Sequence, residues 1–374
     1  MAVTIREVRT KAEKKEFIKL QWKFYKNDPN WVPPLMMDRE KILDTEKNPF
    51  YQHAEIAMLI ADKDGVPSGR IAAITNEEHN KVHNDKLGFF GFFECENDQE
   101  VANALFAAAE EWLKTKGMTE VRGPLNPSVN DDLGMLLEGY DDPPRILMPY
   151  NPPYYHDLCE GYGFAKVKDL YAYKLTPAKV LTDRLNRGQQ LVRERYGLTV
   201  RTVDFKNLDK EIEILRDLYN RSWEANWGSV AMTDDEFKGL ATDMKQVLGS
   251  KYRDYAFFVE INGEPVGFAL SLPDLNQLFI DNPSGGILKA LWLMLTQTKK
   301  ITWSRIIALG VVPEQRGKGI DTVMYYETLT RCVNRGVIHG EASWVLEDNT
   351  MMNRGAELMN GELYKKYRLY QKSL

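Results

Sequence analysis

The sequence has few of the features that mark secreted, metal-binding or membrane-spanning proteins. Its 374 residues include three cysteines, Cys95, Cys159 and Cys332, which are far apart and show no C-x-x-C spacing. An odd and scattered set argues against both a disulfide framework and a zinc site. No run of about 18 apolar residues occurs, and the first residues lack an apolar signal region. We therefore expect a cytoplasmic protein with no metal and no membrane partner.

The sequence also has no surplus of positive charge. The 49 Lys and Arg residues face 54 Asp and Glu residues, so the net charge is -5, and no long basic run occurs. Proteins that bind nucleic acids neutralise phosphates with such a surplus, so a nucleic-acid partner is not expected. Apolar residues are present in ordinary amount, at 43%. With this length, that content predicts a fully folded chain with two domains.

The two halves of the sequence show the same order of predicted elements. Each has three strands followed by a long helix, at 54–61, 69–75, 88–94 and 98–116 in the first half and at 255–261, 265–271, 302–312 and 320–335 in the second. Such repetition indicates duplication or tandem fusion. We predict an α/β (α+β) fold of two modules, residues 1–178 and 179–374, each with a mixed, mostly antiparallel sheet flanked by helices.

A glycine-rich turn joins the last predicted strand of that set to its helix, in the segment Leu309-Gly-Val-Val-Pro-Glu-Gln-Arg-Gly-Lys-Gly-Ile320. Glycines let the backbone approach a ligand closely, and a helix N-terminus carries about half a positive charge. Arg316 and Lys318 add full charges. The turn therefore favours a phosphate, although ordinary surface turns with solvated basic residues match such short patterns too.

The turn and the order of strands around it resemble the GNAT superfamily of acyl-CoA-dependent N-acyltransferases, over roughly residues 198–374. In that family the turn holds the coenzyme A pyrophosphate, and the preceding strand pairs with the pantetheine arm. The resemblance implies acetyl-CoA or another acyl-CoA as co-substrate. The residues that it assigns to this ligand are Leu309 and Val311 at the pantetheine, Gln315, Arg316, Gly317, Lys318, Gly319 and Ile320 at the pyrophosphate, and Asn349.

The first half lacks an equivalent of this turn. Its segment Glu94–Gln99 has three carboxylates and no glycine, which would repel a pyrophosphate, whereas Tyr150–Phe164 resembles a later segment of the same family. We interpret the first half as a GNAT-like module without a cofactor site, either structural or acceptor-binding. The segments Asn226-Trp-Gly, Pro273–Gln277 and Tyr364–Tyr370 resemble a bacterial group of tandem GNAT-like proteins, and that resemblance implies a fold and a cofactor but no substrate.

Attack on a thioester needs a deprotonated amine and often an acid for the departing thiolate. Many members of the family use a tyrosine in the helix after the fifth strand, and the aligned segment 353–361 contains none. Tyr364 is the nearest candidate acid, and packing of its ring is the alternative. Glu347 and Asp348 are candidate bases, although carboxylates at a strand end are commonly just solvated. Asp321 stands where many family members have a small residue, and it either caps the helix or faces the acceptor.

Two segments are candidates for acceptor binding. The first contains Asn126, Asn130 and Asp131, for which local Asx and ST turns are an equally good explanation. The second contains Trp223, Asn226 and Trp227, and here core packing is the alternative. We expect the acceptor in a cleft between the modules, because such clefts commonly bind ligands.

The leading hypothesis is therefore an N-acyltransferase that passes an acetyl or other acyl group from coenzyme A directly to a small-molecule or peptide amine. Two alternatives stay open: a non-catalytic acyl-CoA binder or sensor, and a transferase that takes its acyl group from aminoacyl-tRNA. The latter predicts loss of the turn and a basic channel, whereas this chain keeps the turn and is acidic overall. The sequence does not indicate an oligomeric state.

Overall fold

The computed structural model describes residues 2–223 and 227–374, and the backbone alone of Trp223. The strands are β1 Val3–Glu7, β2 Ala54–Lys63, β3 Val66–Asn76, β4 Leu87–Cys95, β5 Glu120–Gly123, β6 Leu125–Asn126, β7 Asp132–Leu133, β8 Met135–Glu138, β9 Ala165–Leu175, β10 Leu198–Thr202, β11 Ala256–Ile261, β12 Glu264–Pro273, β13 Trp303–Val311, β14 His339–Leu346 and β15 Glu362–Ser373.

The helices complete the predicted α/β fold. They are α1 Lys11–Lys19, α2 Gln21–Phe24, α3 Met36–Ile42, α4 Glu77–His83, α5 Gln99–Thr115, α6 Tyr155–Gly161, α7 Pro177–Val180, α8 Asp183–Tyr196, α9 Leu208–Trp223, α10 Asp234–Leu248, α11 Asn276–Phe279, α12 Ile287–Thr296, α13 Ile320–Val333 and α14 Thr350–Leu358. Short 3-10 helices cover Pro49–Gln52, Arg253–Tyr255, Thr298–Lys300 and Pro313–Gln315.

The chain divides into two compact units that are not continuous in sequence. The first comprises Met1–Leu170, Phe279–Leu295 and Lys365–Leu374, and the second comprises Tyr171–Leu278 and Thr296–Tyr364. The chain therefore leaves the second unit to form most of α12 in the first unit. These units are defined by contacts within the folded chain, whereas the modules 1–178 and 179–374 were inferred from the repeated order of elements in the sequence. The module boundaries therefore remain a prediction.

The first unit is built on the strand order β1-β2-β3-β4-β5, with the C-terminal part of β15 beside β5. The pairs are antiparallel except β4 with β5. Asp64 and Gly65 both have positive φ, at 53° and 79°, which suits the two-residue turn of the β2-β3 hairpin. The apolar face of α5 packs on this sheet, and Leu105 and Phe106 are buried in the core with Phe90.

The second unit repeats this arrangement in the strand order β10-β11-β12-β13-β14. Its pairs are also antiparallel except the last, β13 with β14. On one face, Ile306 of β13 packs with Tyr325 and Leu329 of α13. On the other face, Phe268 of β12 meets Tyr219 of α9, with ring centres 6.4 Å apart. The sheet thus lies between α13 on one side and α9 with α10 on the other.

Candidate active site

Strands β13 and β14 are paired for only part of their length. Their parallel ladder runs from Trp303 opposite His339 to Ile306 opposite Ala342, although both strands continue for several residues. On its other edge β13 has a register shift against β12 just beyond this point, so Ile307 is an extra residue. Such a bulge bends and twists a strand. Beyond Ile306, no described strand continues the β14 side of β13, which leaves that edge available to an extended ligand.

The glycine-rich turn follows the unpaired end of β13. Gly317 and Gly319 have φ of 76° and 77°, a left-handed conformation that glycine adopts at little cost. Gly319 is the N-cap of α13 and offers no side chain to its first turn. Both glycines therefore occupy backbone positions that L side chains rarely adopt.

Five consecutive backbone N–H groups, from Gly317 to Asp321, form no hydrogen bond to another group of the described chain, whereas the N–H of Thr322 donates to the carbonyl of Gly319 at 3.0 Å. Unbonded N–H groups at a helix N-terminus, together with the helix dipole, favour an anion such as a phosphate. We call residues 317–321 the amide turn. In the first unit, the corresponding amides of α5 differ, because Asp98 accepts hydrogen bonds from Glu100 and Val101.

The basic side chains of this segment stabilise its shape. Lys318 Nζ donates to Gln315 Oε1 at 2.5 Å and lies 5.6 Å from the centre of the Tyr196 ring. Arg316 Nε donates to the Val311 carbonyl at 3.2 Å. A second guanidinium nitrogen of Arg316 donates to the Ser222 carbonyl at 2.9 Å, which ties the segment to the end of α9. Both cations therefore stay beside the amide turn.

Helix α8 limits the space at one of the two glycines. A Cβ on Gly319 would lie 3.1 Å from Val192 Cγ2, whereas a Cβ on Gly317 would have no neighbour within 4 Å. Arg193 of α8 forms an ion pair of 2.5 Å with Glu327 of α13, which holds the two helices together. Gly319 is therefore required by both its φ and its surroundings, whereas Gly317 is required by its φ and has open space beside it.

A cluster of polar side chains is buried where β13 and β14 begin to separate. Arg305 and Glu341 are 2% and 0% exposed, and Arg305 Nε lies 3.5 Å from Glu341 Oε1. The same Nε donates to Ser343 Oγ at 2.7 Å, and the Tyr364 hydroxyl donates to Glu341 Oε2. Because Ile306 and Ala342 face α13, their neighbours Arg305 and Glu341 face the opposite side of the sheet. Together with Trp344, these residues are called the buried polar cluster.

Two polar atoms of this cluster have no hydrogen-bond partner among the described residues. They are Glu341 Oε1, an acceptor, and Trp344 Nε1, a donor. Leaving such a group unsatisfied costs about 1–3 kcal/mol. Trp344 also has a φ of 58°, an outlier for a bulky residue, and its ring lies 4.6 Å from Arg305 Cζ. Backbone strain of this kind clusters at functional sites, so the pair is a candidate for binding a ligand that has both a donor and an acceptor.

Tyr325, which sequence reasoning missed, lies on the α13 face close to α14. Its hydroxyl is 3.9 Å from Met352 Sδ and 3.6 Å from the position of a Cβ on Gly355. Burial, with a smaller contribution from Asp321, raises the pKa of Tyr325 far above its ordinary value, so the hydroxyl stays protonated. Tyr325 therefore contacts α14, the helix in which the sequence lacks the tyrosine that many members of the family use. In the sequence, only the helical spacing of apolar residues in α13 could have indicated that Tyr325 is buried.

The other residues that the sequence predicted for the cofactor and for catalysis lie on β13, on α13 and around the turn between β14 and α14. Leu309 and Val311 lie on the part of β13 that β14 leaves unpaired, and Ile320 is buried as the first residue of α13. Asn349 is the N-cap of α14 and accepts from the Met352 N–H at 3.1 Å. Glu347 and Asp348 form the turn between β14 and α14, and Asp348 and Asp321 are exposed. Their roles toward a cofactor or acceptor remain predictions.

Of the predicted acceptor residues of the first unit, Asn126 contacts strand β4, and Asn130 and Asp131 make local turn contacts. Asn126 Oδ1 accepts from the Phe92 N–H at 2.5 Å. Ser128 donates to Asp131 Oδ2 at 2.6 Å, and the Asn130 N–H donates to Ser128 Oγ at 3.1 Å. In the second unit, Trp227 is half-buried, while the side chain of Trp223 and the whole of Asn226 lie outside the described residues. Acceptor binding by these residues is still a prediction.

A narrow apolar cavity of about 60 Å³ lies on the same face of the second sheet as the buried polar cluster. Its walls come from α9, α10 and β12, and include Leu208, Ile212, Leu215, Phe237, Leu240, Ala241, Met244 and Leu270. Leu270 is opposite Ala308, and Leu272 is opposite Arg305. The cavity and the cluster are therefore separated by two residues of β12, which is about 7 Å of strand.

Comparison with known proteins places this geometry in a family. The chain matches the Acetyltransferase (GNAT) family over residues 212–354. It is 35% identical to the "Bacterial ceramide synthase" of Caulobacter vibrioides (strain NA1000 / CB15N), over 98% of this chain and 96% of that protein. It is 32% identical to "Protein YghO" of Escherichia coli (strain K12), over 99% of this chain and 95% of that protein.

Solved structures share the fold at low sequence identity. A tandem GNAT protein from the clavulanic acid biosynthesis pathway aligns with a TM-score of 0.59 and 11% identity, over 100% of this chain and 98% of that chain. The GCN5-related N-acetyltransferase from Sphaerobacter thermophilus aligns with a TM-score of 0.52 and 16% identity, over 99% of this chain and 95% of that chain. The predicted tandem GNAT fold is confirmed, and the chain belongs to the GNAT family as an N-acyltransferase.

Proposed function

We propose that this protein is an acyl-CoA-dependent N-acyltransferase that joins a fatty acyl group to the primary amine of a long-chain amino alcohol. The observation that carries the acyl-CoA part is the amide turn, with five unbonded N–H groups at the N-terminus of α13. A pyrophosphate accepts hydrogen bonds there. The pantetheine arm then extends along the unpaired part of β13, past Leu309 and Val311, toward the point where β14 diverges.

The acceptor class is supported by the relative and by the chemistry of the second unit. A ceramide is a long-chain amino alcohol that carries an amide-linked fatty acyl group, and a relative over nearly the whole chain is named a ceramide synthase. An amino alcohol offers a nitrogen donor and an oxygen acceptor close together. These complement Glu341 Oε1 and Trp344 Nε1, the two unsatisfied atoms of the buried polar cluster.

The apolar cavity supports a lipid-like substrate on the same face. Its walls are almost entirely hydrocarbon, and burial of one methylene group stabilises a complex by about 0.8 kcal/mol. A volume of about 60 Å³ holds only a few methylene groups, so a long chain enters with some separation of α9 and α10. Acetyl-CoA, the first expectation from the sequence, needs no such cavity, and acyl-chain length is therefore a decisive variable.

The proposed reaction is direct attack of the amine on the thioester. The amine nitrogen bonds to the carbonyl carbon, and the bond from carbon to sulfur breaks. The amine proton passes to the Tyr364 oxygen while the Tyr364 hydroxyl proton moves to Glu341 Oε2, along the hydrogen bond already present. Tyr325 gives its proton to the departing thiolate. In this proposal Tyr364 accepts the amine proton as a base, whereas the sequence suggested it as the acid.

The test is release of free coenzyme A thiol from acetyl-CoA and palmitoyl-CoA, each with sphinganine, a short amino alcohol or a lysine peptide as acceptor. We expect thiol release and an N-acyl product by mass spectrometry with palmitoyl-CoA and sphinganine. Turnover only with acetyl-CoA and the short amines would contradict the proposed lipid substrates but would still support acyltransferase activity. Coenzyme A binding without thiol release from any pair would favour the non-catalytic binder.

A further inference from the structure

Helix α12 exposes apolar side chains that a water-soluble surface rarely presents together. Leu288, Leu291, Trp292 and Leu295 are 81%, 47%, 49% and 84% exposed. Their spacing of i, i+3, i+4 and i+7 places all four on one face of the helix, while Ala290 and Leu293 are buried on the other. We call the four exposed residues the apolar stripe.

The apolar stripe is held in place by the loop that precedes α12. Trp22 Nε1 donates to the Pro283 carbonyl at 2.7 Å, and the Met36 N–H donates to the Gly285 carbonyl at 3.0 Å. Gly285 has a φ of 63°, and a Cβ there would lie 2.3 Å from the Pro34 carbonyl oxygen. The loop thus fits closely against the first unit, so α12 is presented on a fixed support.

The charged residues in the sequence segment that contains the apolar stripe are all basic. No acidic residue occurs from Asn282 to Pro313, between Asp281 and Glu314, although the whole chain is acidic. Lys289 lies with its Nζ 4.4 Å from the centre of the Trp292 ring, and the exposed Lys299 and Lys300 follow soon after along the chain. Basic residues beside exposed Leu and Trp complement anionic lipid head groups.

We propose that α12 docks this protein on the surface of an anionic lipid bilayer, with the apolar stripe inserted at the level of the head groups. Ten residues make a helix of about 15 Å, which suits a position in the plane of the interface. No helix of the described residues is long and apolar enough to cross a bilayer. Tryptophan prefers the boundary between head groups and acyl chains. The sequence predicted no membrane partner, so this surface departs from that expectation.

A second copy of the chain is the competing occupant of the apolar stripe. A two-fold interface brings the same patch of both copies together, so Lys289 would approach its own counterpart. The segment offers no carboxylate to pair with that lysine. Charge therefore favours a lipid surface, and the test includes the dimer as an outcome.

The experiment is co-sedimentation of the full chain, without any substrate, with vesicles of phosphatidylglycerol mixed with phosphatidylcholine and with phosphatidylcholine alone. We expect binding to the anionic vesicles. The double variant Leu288→Ser with Leu295→Ser should bind at least roughly tenfold more weakly, because it removes two inserted side chains. The matched control is Leu358→Ser, which changes a leucine of α14 that is 80% exposed and should bind as the unmodified chain does.

Charge is tested by the variant Lys289→Gln with Lys299→Gln, which should weaken binding to the anionic vesicles by roughly fivefold for each lysine. No binding to anionic vesicles, or equal binding by the double-leucine variant and the unmodified chain, would overturn the proposal. The proposal would also be overturned if the unmodified chain bound no vesicles and formed a dimer in light scattering, and if the double-leucine variant were a monomer. Since no substrate is present, this result is independent of the proposed acceptor.

Discussion

The Tyr364 hydroxyl donates a hydrogen bond to Oε2 of Glu341, a carboxylate with no exposed surface that also faces Arg305. Tyr364 itself is half-buried, so its side chain is more accessible to a substrate than the carboxylate of Glu341 is. The sequence presented Tyr364 as an isolated candidate and did not single out Glu341. Their contact turns two separate residues into a path along which a proton can move.

Replacing Glu341 by Gln removes the proton acceptor and keeps the shape of the side chain. We expect kcat to fall by about 10²- to 10⁴-fold, the usual contribution of a positioned base. Tyr364→Phe should lower kcat to a similar extent, because the same path is broken. The double variant tests whether they act together: its kcat should be close to that of either single variant. Multiplied effects of the two changes would show that they act separately.

Replacing Tyr325 by Phe removes the proposed acid for the thiolate. Among the described residues, the Tyr325 hydroxyl makes only a long contact of 3.9 Å with Met352 Sδ, so its removal should change thermal stability little. We expect a fall in kcat of on the order of 10²-fold and an unchanged affinity for coenzyme A. Tyr326→Phe, at the next position of α13, is the matched control and should keep full activity. Equal activity of both variants would remove Tyr325 from the mechanism.

Filling the apolar cavity should change the preferred chain length. Ala241 lines the cavity, and Ala241→Leu places three more carbon atoms in it. We expect kcat/KM to fall for long-chain substrates relative to short ones by on the order of tenfold, because each excluded methylene loses about 0.8 kcal/mol. The control is Gly239→Ala in the same helix, where a Cβ has no neighbour within 4 Å. An unchanged chain-length profile would mean that the cavity holds neither chain.

Stability should fall as the pH is lowered from 7 toward 5, in part because of His79. Its ring is 2% exposed, its nitrogens lack hydrogen-bond partners among the described residues, and burial lowers its pKa from 6.5 to about 4 despite the nearby Asp85. Between these values the unfolded chain binds the proton more readily than the folded chain, so acid favours unfolding. The contribution is on the order of 2 kcal/mol at pH 5.

The pH effect is checked by urea unfolding of the native chain and of His79→Gln at pH 7 and pH 5. The variant should lose less unfolding free energy between the two pH values than the native chain does. If both lose the same amount, His79 is not a source of the pH dependence.

The sequence predicted the elements that depend on local signals. The strands predicted at 255–261 and 265–271 correspond to β11 and β12, and Asn262 and Gly263 in the turn between them have positive φ, 54° and 83°. The helix predicted at 98–116 corresponds to α5, Gln99–Thr115. The turn at Gly317 and Gly319 also follows from local chemistry, because glycine, helix start and basic residues adjoin in the chain. Such features are readable because their cause lies within a few residues.

The parts of the site that were missed depend on contacts between distant residues. Arg305 and Glu341 are 36 positions apart and meet only because β13 and β14 pair in parallel over that stretch. Nothing in the sequence around Glu341 indicates that its carboxylate has no exposed surface.

Helix α12 was missed for another reason. The segment Ile287–Thr296 is apolar on nearly all sides, so its sequence has no polar face that would reveal a helical period.

The most direct test of the central claim is calorimetric titration of coenzyme A into the native chain, the double variant Gly317→Val with Gly319→Val, and the control Gly263→Ala. Gly263 also has positive φ and open space around it, but it lies in the β11-β12 hairpin. Gly317→Ala is a milder variant, since a Cβ there meets no neighbour within 4 Å. We predict binding by the native chain and the control, weaker binding by Gly317→Ala, and a loss of at least roughly 100-fold in the double variant, equivalent to about 3 kcal/mol. Unchanged affinity in a folded double variant would show that the amide turn is not the coenzyme A site.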